Sequence, residues 1–241
     1  MADRPITFRE LHTPDEMRGV VELQKAVWGP DDPTPAHQLL MSVKTGGHVI
    51  GTYADDLLVA FVYGFAAVLP GKRPWIASHM LATRAGWEGR GLGRRLKWLQ
   101  REWALARGFA RITWTFDPLE ARNAHLNLNI LGATAPEFLP NCYGTMDDRL
   151  NRGLPSDRLM ADWDLESPRV EEALEHELPL PEDAVRIPIP RDFQMIKRTS
   201  LAHALEVRLE LRERLEVLME EGLQVSGYDR AASALVLTRS R

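Results

Sequence analysis

The sequence predicts an α/β chain in which strands and helices interleave, and three observations carry that prediction. Short apolar runs at residues 6–11, 57–65 and 75–83 have the length and the β-branched or aromatic content of strands. Between them lie stretches with helical apolar spacing that begin at capping residues and stop at glycine. The third observation is Glu88-Gly89-Arg90-Gly91-Leu92-Gly93-Arg94, a glycine-rich turn running straight into the amphipathic stretch Arg95-Leu96-Lys97-Trp98-Leu99-Gln100.

In chain order, residues 6–11 read as a first strand. Thr13-Pro14-Asp15-Glu16 then supplies an N-cap, a proline at the first helical position and an acid at the third, starting a helix to about Trp28. Pro33-Thr34-Pro35 introduces a second helix to about Thr45, and Gly46-Gly47 stops it. A hairpin follows, with strands at residues 48–53 and 57–65 around an Ala54-Asp55-Asp56 turn. Residues 75–83 make a buried strand. The helix from Gly91 ends at Arg107-Gly108, and residues 110–116 are the next strand, completing a strand, helix, strand unit.

Glycines at alternate positions let backbone approach a ligand, and the first N–H groups of the following helix favour an anion, most often a phosphate. The Walker signature is absent, because no Lys-Ser or Lys-Thr pair follows Gly93. The dinucleotide fingerprint fails too, since Gly89 and Gly91 require a third glycine where Arg94 stands. What remains, with its surroundings, resembles the pyrophosphate loop of the GNAT acyltransferase superfamily, although Glu88 occupies the first motif position where Gln or Arg is usual. Arg90, Arg94, Arg95 and Lys97 are the cations available to offset that acid.

The resemblance implies a mixed, mostly antiparallel central sheet flanked by helices and an acetyl-CoA or other acyl-CoA cofactor. On that reading Leu81 and Thr83 hold the pantetheine arm through backbone groups. Gly89, Gly91, Leu92, Gly93 and Arg94 cradle the pyrophosphate, and Asn123 reaches the cofactor from the next helix. The family's tyrosine acid, counted back from Gly132, falls on Leu128, which cannot donate a proton. Its glutamate base falls on Ala77. Strand alternation puts Ala77, His79, Leu81 and Thr83 on one face, so His79 and, further on, Tyr143 are the proton-handling candidates. His125, Asn127 and Asn129 are nearby alternatives.

At 241 residues, the chain has room for one domain plus an appendage. A net charge of −4 and a pI near 6.0 give no reason to invoke nucleic acid. The single Cys142 excludes an intrachain disulfide, and no histidine spacing suggests a metal. No apolar run reaches membrane length and the first residues lack a signal, so the expectation is a cytoplasmic protein without a membrane partner.

Residues 158–165 read as the last strand of the transferase sheet, which sets a first domain at 1–166, a linker at 167–184 and an extension at 185–241. The extension reads as an edge segment at 185–190, a long helix from about Thr199 to Glu221 with an apolar stripe at Leu201, Leu205, Val207, Leu211, Leu215, Leu218 and Met219, and a final hairpin. It would shape the acceptor site, form a homodimer surface or cover a sheet edge. The first functional reading is transfer of an acetyl group to an amine of a small molecule or peptide by direct attack in a ternary complex. The second is a non-catalytic acyl-CoA sensor or partner module. The third, a nucleic-acid role, lacks a basic face beyond the Gly91 helix.

Overall fold

The computed structural model describes residues 5–144 and 153–239. The chain divides into two compact units, residues 1–113 and 114–241.

The first unit contains β1 (Ile6–Glu10), α1 (Pro14–Trp28), α2 (Ala36–Lys44), β2 (His48–Ala54), β3 (Leu57–Ala67), β4 (Trp75–Thr83), α3 (Leu92–Leu105) and the start of β5 (Arg111–Phe116). Thr13 and Glu16 close a reciprocal capping box on α1, with Pro14 at its start. Met17, Val20, Leu23 and Gln24 then turn inward on one face. Met17, Val20 and Leu23 pack on Leu39 of α2 and on Phe61, Tyr63 and Ala82 of the sheet. Strands β1 to β4 are antiparallel in sequential order. The step from β4 to β5 is parallel and needs the α3 crossover. Gly47 ends α2 where nothing larger fits: a Cβ there would lie 2.6 Å from the Gly64 carbonyl oxygen and 2.9 Å from that of Ser42.

The second unit takes up the rest of β5, then α4 (Ala121–Ala124), a π-helical turn (His125–Ile130), β6 (Thr134–Leu139), β7 (Arg158–Asp164), α5 (Pro168–Glu175), β8 (Val185–Pro188), α6 (Phe193–Thr199), α7 (Leu201–Glu220), β9 (Leu223–Asp229) and β10 (Ala234–Arg239). Its strands run in the order β7-β6-β9-β10-β8. Because β9 pairs with β6 at Ala135↔Val225, the C-terminal strands extend the sheet of β6 and β7. The stretch expected as a linker is seated: Val170 and Ala173 of α5 and Leu178 beyond it are buried.

Two elements were not foreseen. Pro136 hides β6, and the ladder accommodates it at an irregularity between Thr134 and Glu137, where a proline's missing N–H is tolerated. The short helix α6 is capped by Asp192 and separated from α7 by Ser200, whose extended backbone and hydroxyl cap α7 in turn. The apolar stripe expected on α7 also needs correction. Leu201 and Leu205 are exposed, and the inward face is Ala204, Arg208, Leu211 and Leu215. Carboxylates set that rotation. Arg208 donates to both oxygens of Asp117 at 3.3 and 2.6 Å, and Arg212 to both of Asp157 at 3.0 and 2.6 Å.

Candidate active site

Helix α3 begins with its donors free. Gly91, its N-cap, sits in the left-handed region at φ 75°, and no side chain caps the helix. Arg95 N–H makes the first intrahelical bond, to the Gly91 carbonyl, leaving the N–H groups of Leu92, Gly93 and Arg94 at the helix mouth. Gly89 is left-handed as well, at φ 76°, and a Cβ on either glycine would meet nothing within 4 Å, so the loop borders open space. Glu88 does not point into it, because its carboxylate accepts the Gly86 N–H at 2.7 Å. Arg90 lies over the Trp87 ring, 4.5 Å from its centroid. The unfavourable acid at the first motif position is thereby turned back on its own loop, and the mouth is left to N–H donors and arginines.

Gly93 faces Leu81, whose side chain would be 3.3 Å from an added Cβ, so α3 seats closely on β4. Strand β4 pairs with β5 only at Ile76↔Ile112 and Ala77↔Thr113. Its remaining length, through Leu81 and Thr83, has a ladder to β3 and none on the other edge among the described residues. That edge is available for strand addition.

A bulge corrects the expected alternation. Tyr63 opposes Met80 and Gly64 opposes Ser78, so His79 is the extra residue. Met80 and Ala82 therefore join the α1 and α2 core, and Leu81 turns to α3. His79 lies with Tyr63 and Phe65, ring centroids 6.0 and 5.9 Å away, and does not share a face with Leu81. It borders a cavity of ≈ 450 Å³ lined also by Thr34, Gln38, Ser42, Thr45 and Ala66. Its ring is open to solvent on one side. Crowding on the other lowers the imidazole pKa, which keeps it neutral and able to accept a proton near pH 7.

Beneath the bulge runs a buried polar chain that the sequence reading missed. Lys97 Nζ donates to Ser78 Oγ at 3.2 Å and to Gln100 Oε1 at 2.7 Å, and Gln100 Nε2 lies 2.8 Å from His48 Nε2. Lys97 Nζ donates to the amide oxygen, so the amide nitrogen, which can only donate, faces His48 Nε2 and places the neutral ring's proton on Nδ1. Burial holds Lys97 well below the ordinary lysine value and, with Lys97 and Arg107 nearby, lowers His48 to about 3. Lys97 is thus not available to a pyrophosphate, contrary to expectation. The signal was present in its spacing: it lies three residues before Gln100 and seven before Ala104, on the buried side of α3.

The other candidates belong to the second unit. Asn123 is exposed in the first turn after β5. The Tyr143 hydroxyl bonds Thr115 Oγ1 at 2.7 Å, and its backbone N–H donates to Ser156 Oγ at 2.8 Å. Leu128 is fully buried. Asn129 is fully engaged by Tyr228, donating to its carbonyl at 3.2 Å and accepting its N–H at 2.8 Å, which makes it a structural pin.

Comparison with known proteins decides the family. The model of the acetyltransferase (GNAT) family matches residues 7–128, from β1 to the π-helical turn. The chain belongs to that family. No curated protein matches it by sequence. Among solved structures, the ribosomal-protein-S18-alanine N-acetyltransferase of Escherichia coli aligns at TM-score 0.54 and 16% identity, covering 68% of this chain and 96% of its own. The yncA protein of Salmonella typhimurium, solved with its cofactor acetyl-CoA, aligns at 0.55 and 16%, covering 67% and 95%. The ribosomal-protein-S5-alanine acetyltransferase of Vibrio fischeri aligns at 0.52 and 12%, covering 67% and 94%. At these identities the likeness is one of fold. GNAT membership makes acyl transfer from an acyl-CoA the general chemistry of this protein. Among the described residues, no helix is long and apolar enough to cross a membrane.

Proposed function

We propose that this GNAT protein is an N-acetyltransferase that moves the acetyl group of acetyl-CoA to an amine by direct attack in a ternary complex. The observation that carries the reading is the uncapped start of α3 under the left-handed glycines, beside a β4 edge that, among the described residues, has no β5 partner beyond Ala77. These residues fit the cofactor. Leu92, Gly93 and Arg94 N–H groups with Gly89 and Gly91 would hold the diphosphate, Leu81 and Thr83 backbone groups the pantetheine amides, and Asn123 would add a contact from α4. We assign the transferase domain to residues 1–166 and the extension to 185–241, joined by 167–184. The acceptor is a small-molecule or peptide amine; two of the structural neighbours act on ribosomal-protein alanine.

Bound acetyl-CoA supplies a thioester whose carbonyl carbon bonds to the acceptor nitrogen as the carbon–sulfur bond breaks. The chain's residues supply proton handling and position. Neutral His79 takes a proton from the acceptor ammonium, directly or through one water, freeing the lone pair. Tyr143, whose hydroxyl can donate, is the candidate for returning a proton to the departing sulfur. With Leu128 in the usual tyrosine's place, positioning carries a larger share of the rate. That leucine, together with Ala77 in the usual glutamate's place, is also what favours a binding-only sensor.

Thermal unfolding with and without acetyl-CoA tests the cofactor site. Ligand at a hundred times its Kd should add about 2.7 kcal/mol, raising the melting temperature by roughly 5–10 °C. The Gly91→Glu variant, with a carboxylate at the helix mouth, should abolish the shift; an undiminished shift would place the cofactor elsewhere. CoA release then separates enzyme from sensor. His79→Ala should lower kcat by about 10²–10⁴-fold. Because the His79 pKa lies below the ordinary 6.5, wild-type activity should stay level at neutral pH and fall only under more acidic conditions.

A further inference from the structure

Among the described residues, the cavity beside His79 is lined by no carboxylate, lysine or arginine. Its other lining residues, Thr34, Gln38, Ser42, Thr45, Tyr63, Phe65 and Ala66, contribute hydroxyls, one amide and aromatic faces, and no carboxylate. It is also held firm. Ser42 and Tyr63 hydroxyls bond each other at 2.7 Å, closing one wall between α2 and β3. Gln24, itself 2% exposed, accepts the Thr34 N–H at 2.9 Å and donates to the Thr34 carbonyl at 3.3 Å, fixing the segment that precedes α2. Tyr63, Phe65 and His79 form an aromatic group with centroids about 6 Å apart, His79 edge-on to Tyr63 and tilted to Phe65.

Resting on the acetyltransferase reading above, we propose that this pocket selects a monoamine whose flank is neutral, either aromatic or amide-bearing, and discriminates against polyamines. The reacting ammonium needs no counterion there, because it gives its proton to His79, whose solvent-open ring edge passes that proton on to water and leaves no charge in the cavity. A second ammonium on the same acceptor keeps its charge. Entering this cavity, it would lose water against hydroxyls and ring edges without a carboxylate to replace it. A phenyl or amide flank meets what the walls present: ring edges for stacking, and the Gln38 amide and the Ser42 and Thr45 hydroxyls for hydrogen bonds.

The test is CoA release from acetyl-CoA with phenylethylamine and leucinamide against cadaverine and spermidine, using wild type and Gln38→Glu. Gln38 is exposed in the first turn of α2, where an acid suits the helix end, so the variant should fold. Wild type should favour the monoamines in kcat/KM by tenfold or more. Gln38→Glu should move the ratio toward cadaverine by about tenfold at low salt, with the change shrinking as salt is added. Polyamines acylated as well as monoamines by wild type would overturn the selectivity and leave the acetyltransferase reading intact. An unchanged ratio in Gln38→Glu would overturn the assignment of this cavity. No release with any amine, while acetyl-CoA still raises the melting temperature, would end both readings in favour of a sensor.

Discussion

Acid should loosen the first unit through His48. The ring is 1% exposed, accepts from Gln100 Nε2, and lies 4.3 Å from Trp103 between centroids. Protonation would set two donors against each other, near Lys97 and Arg107. The pKa of about 3 in the folded chain stands against 6.5 for an ordinary histidine. Between those values the unfolded chain binds the proton and the folded chain does not, so stability present above pH 6.5 is lost progressively toward pH 3. At pH 4.5, two units below the ordinary value, the loss is about 2.7 kcal/mol at 1.36 kcal/mol per unit. Urea unfolding followed by circular dichroism at pH 7 and pH 4.5, for wild type and His48→Gln, measures it. The variant keeps an acceptor for Gln100 and has no proton to take up, while carboxylate titrations common to both cancel. Wild type should therefore lose about 2.7 kcal/mol more than the variant over this interval. Equal losses would refute the buried, neutral imidazole.

In the second unit, Asp117→Ala should destabilise by about 3–5 kcal/mol, because it strands the Arg208 cation in the interior. The double change Asp117→Leu with Arg208→Leu should recover much of that in urea unfolding, and a double variant no better than the single would mean the pair contributes mainly through packing. Gly47→Ala should lower stability by about 1–3 kcal/mol, since its Cβ meets backbone oxygens that cannot move aside. An unchanged melting temperature would show that the turn relaxes.

Much of the fold was legible because its signals are local. The Thr13 cap, Pro14 and Glu16 announced α1, and β4 and the Asp55-Asp56 turn were read with close boundaries, since a few adjacent residues carry each signal. Helix α3 and its glycine loop were legible for the same reason, and with them the family. Strand β6 was not, because Pro136 forbids an ordinary ladder position and only the paired strands reveal the irregularity that admits it. The inward face of α7 escaped because hydropathy cannot anticipate that Asp117 and Asp157 draw arginines inward.

The sequence by itself determined where helices start and stop and that Gly89 and Gly91 make a backbone-lined mouth on α3, and its resemblance to the family put apolar Leu128 and Ala77 where an acid and a base are expected. Tertiary structure alone decided what His79 faces and what Lys97 touches. One extra residue in β4 reverses which side the following residues occupy, and that slip exists only in the register with β3, between residues some fifteen positions apart. Likewise, a lysine reads as a surface cation until the strand beneath its helix supplies a serine and, with a glutamine one turn on, satisfies it in the interior. Both outcomes depend on partners distant in the chain, which local spacing does not encode.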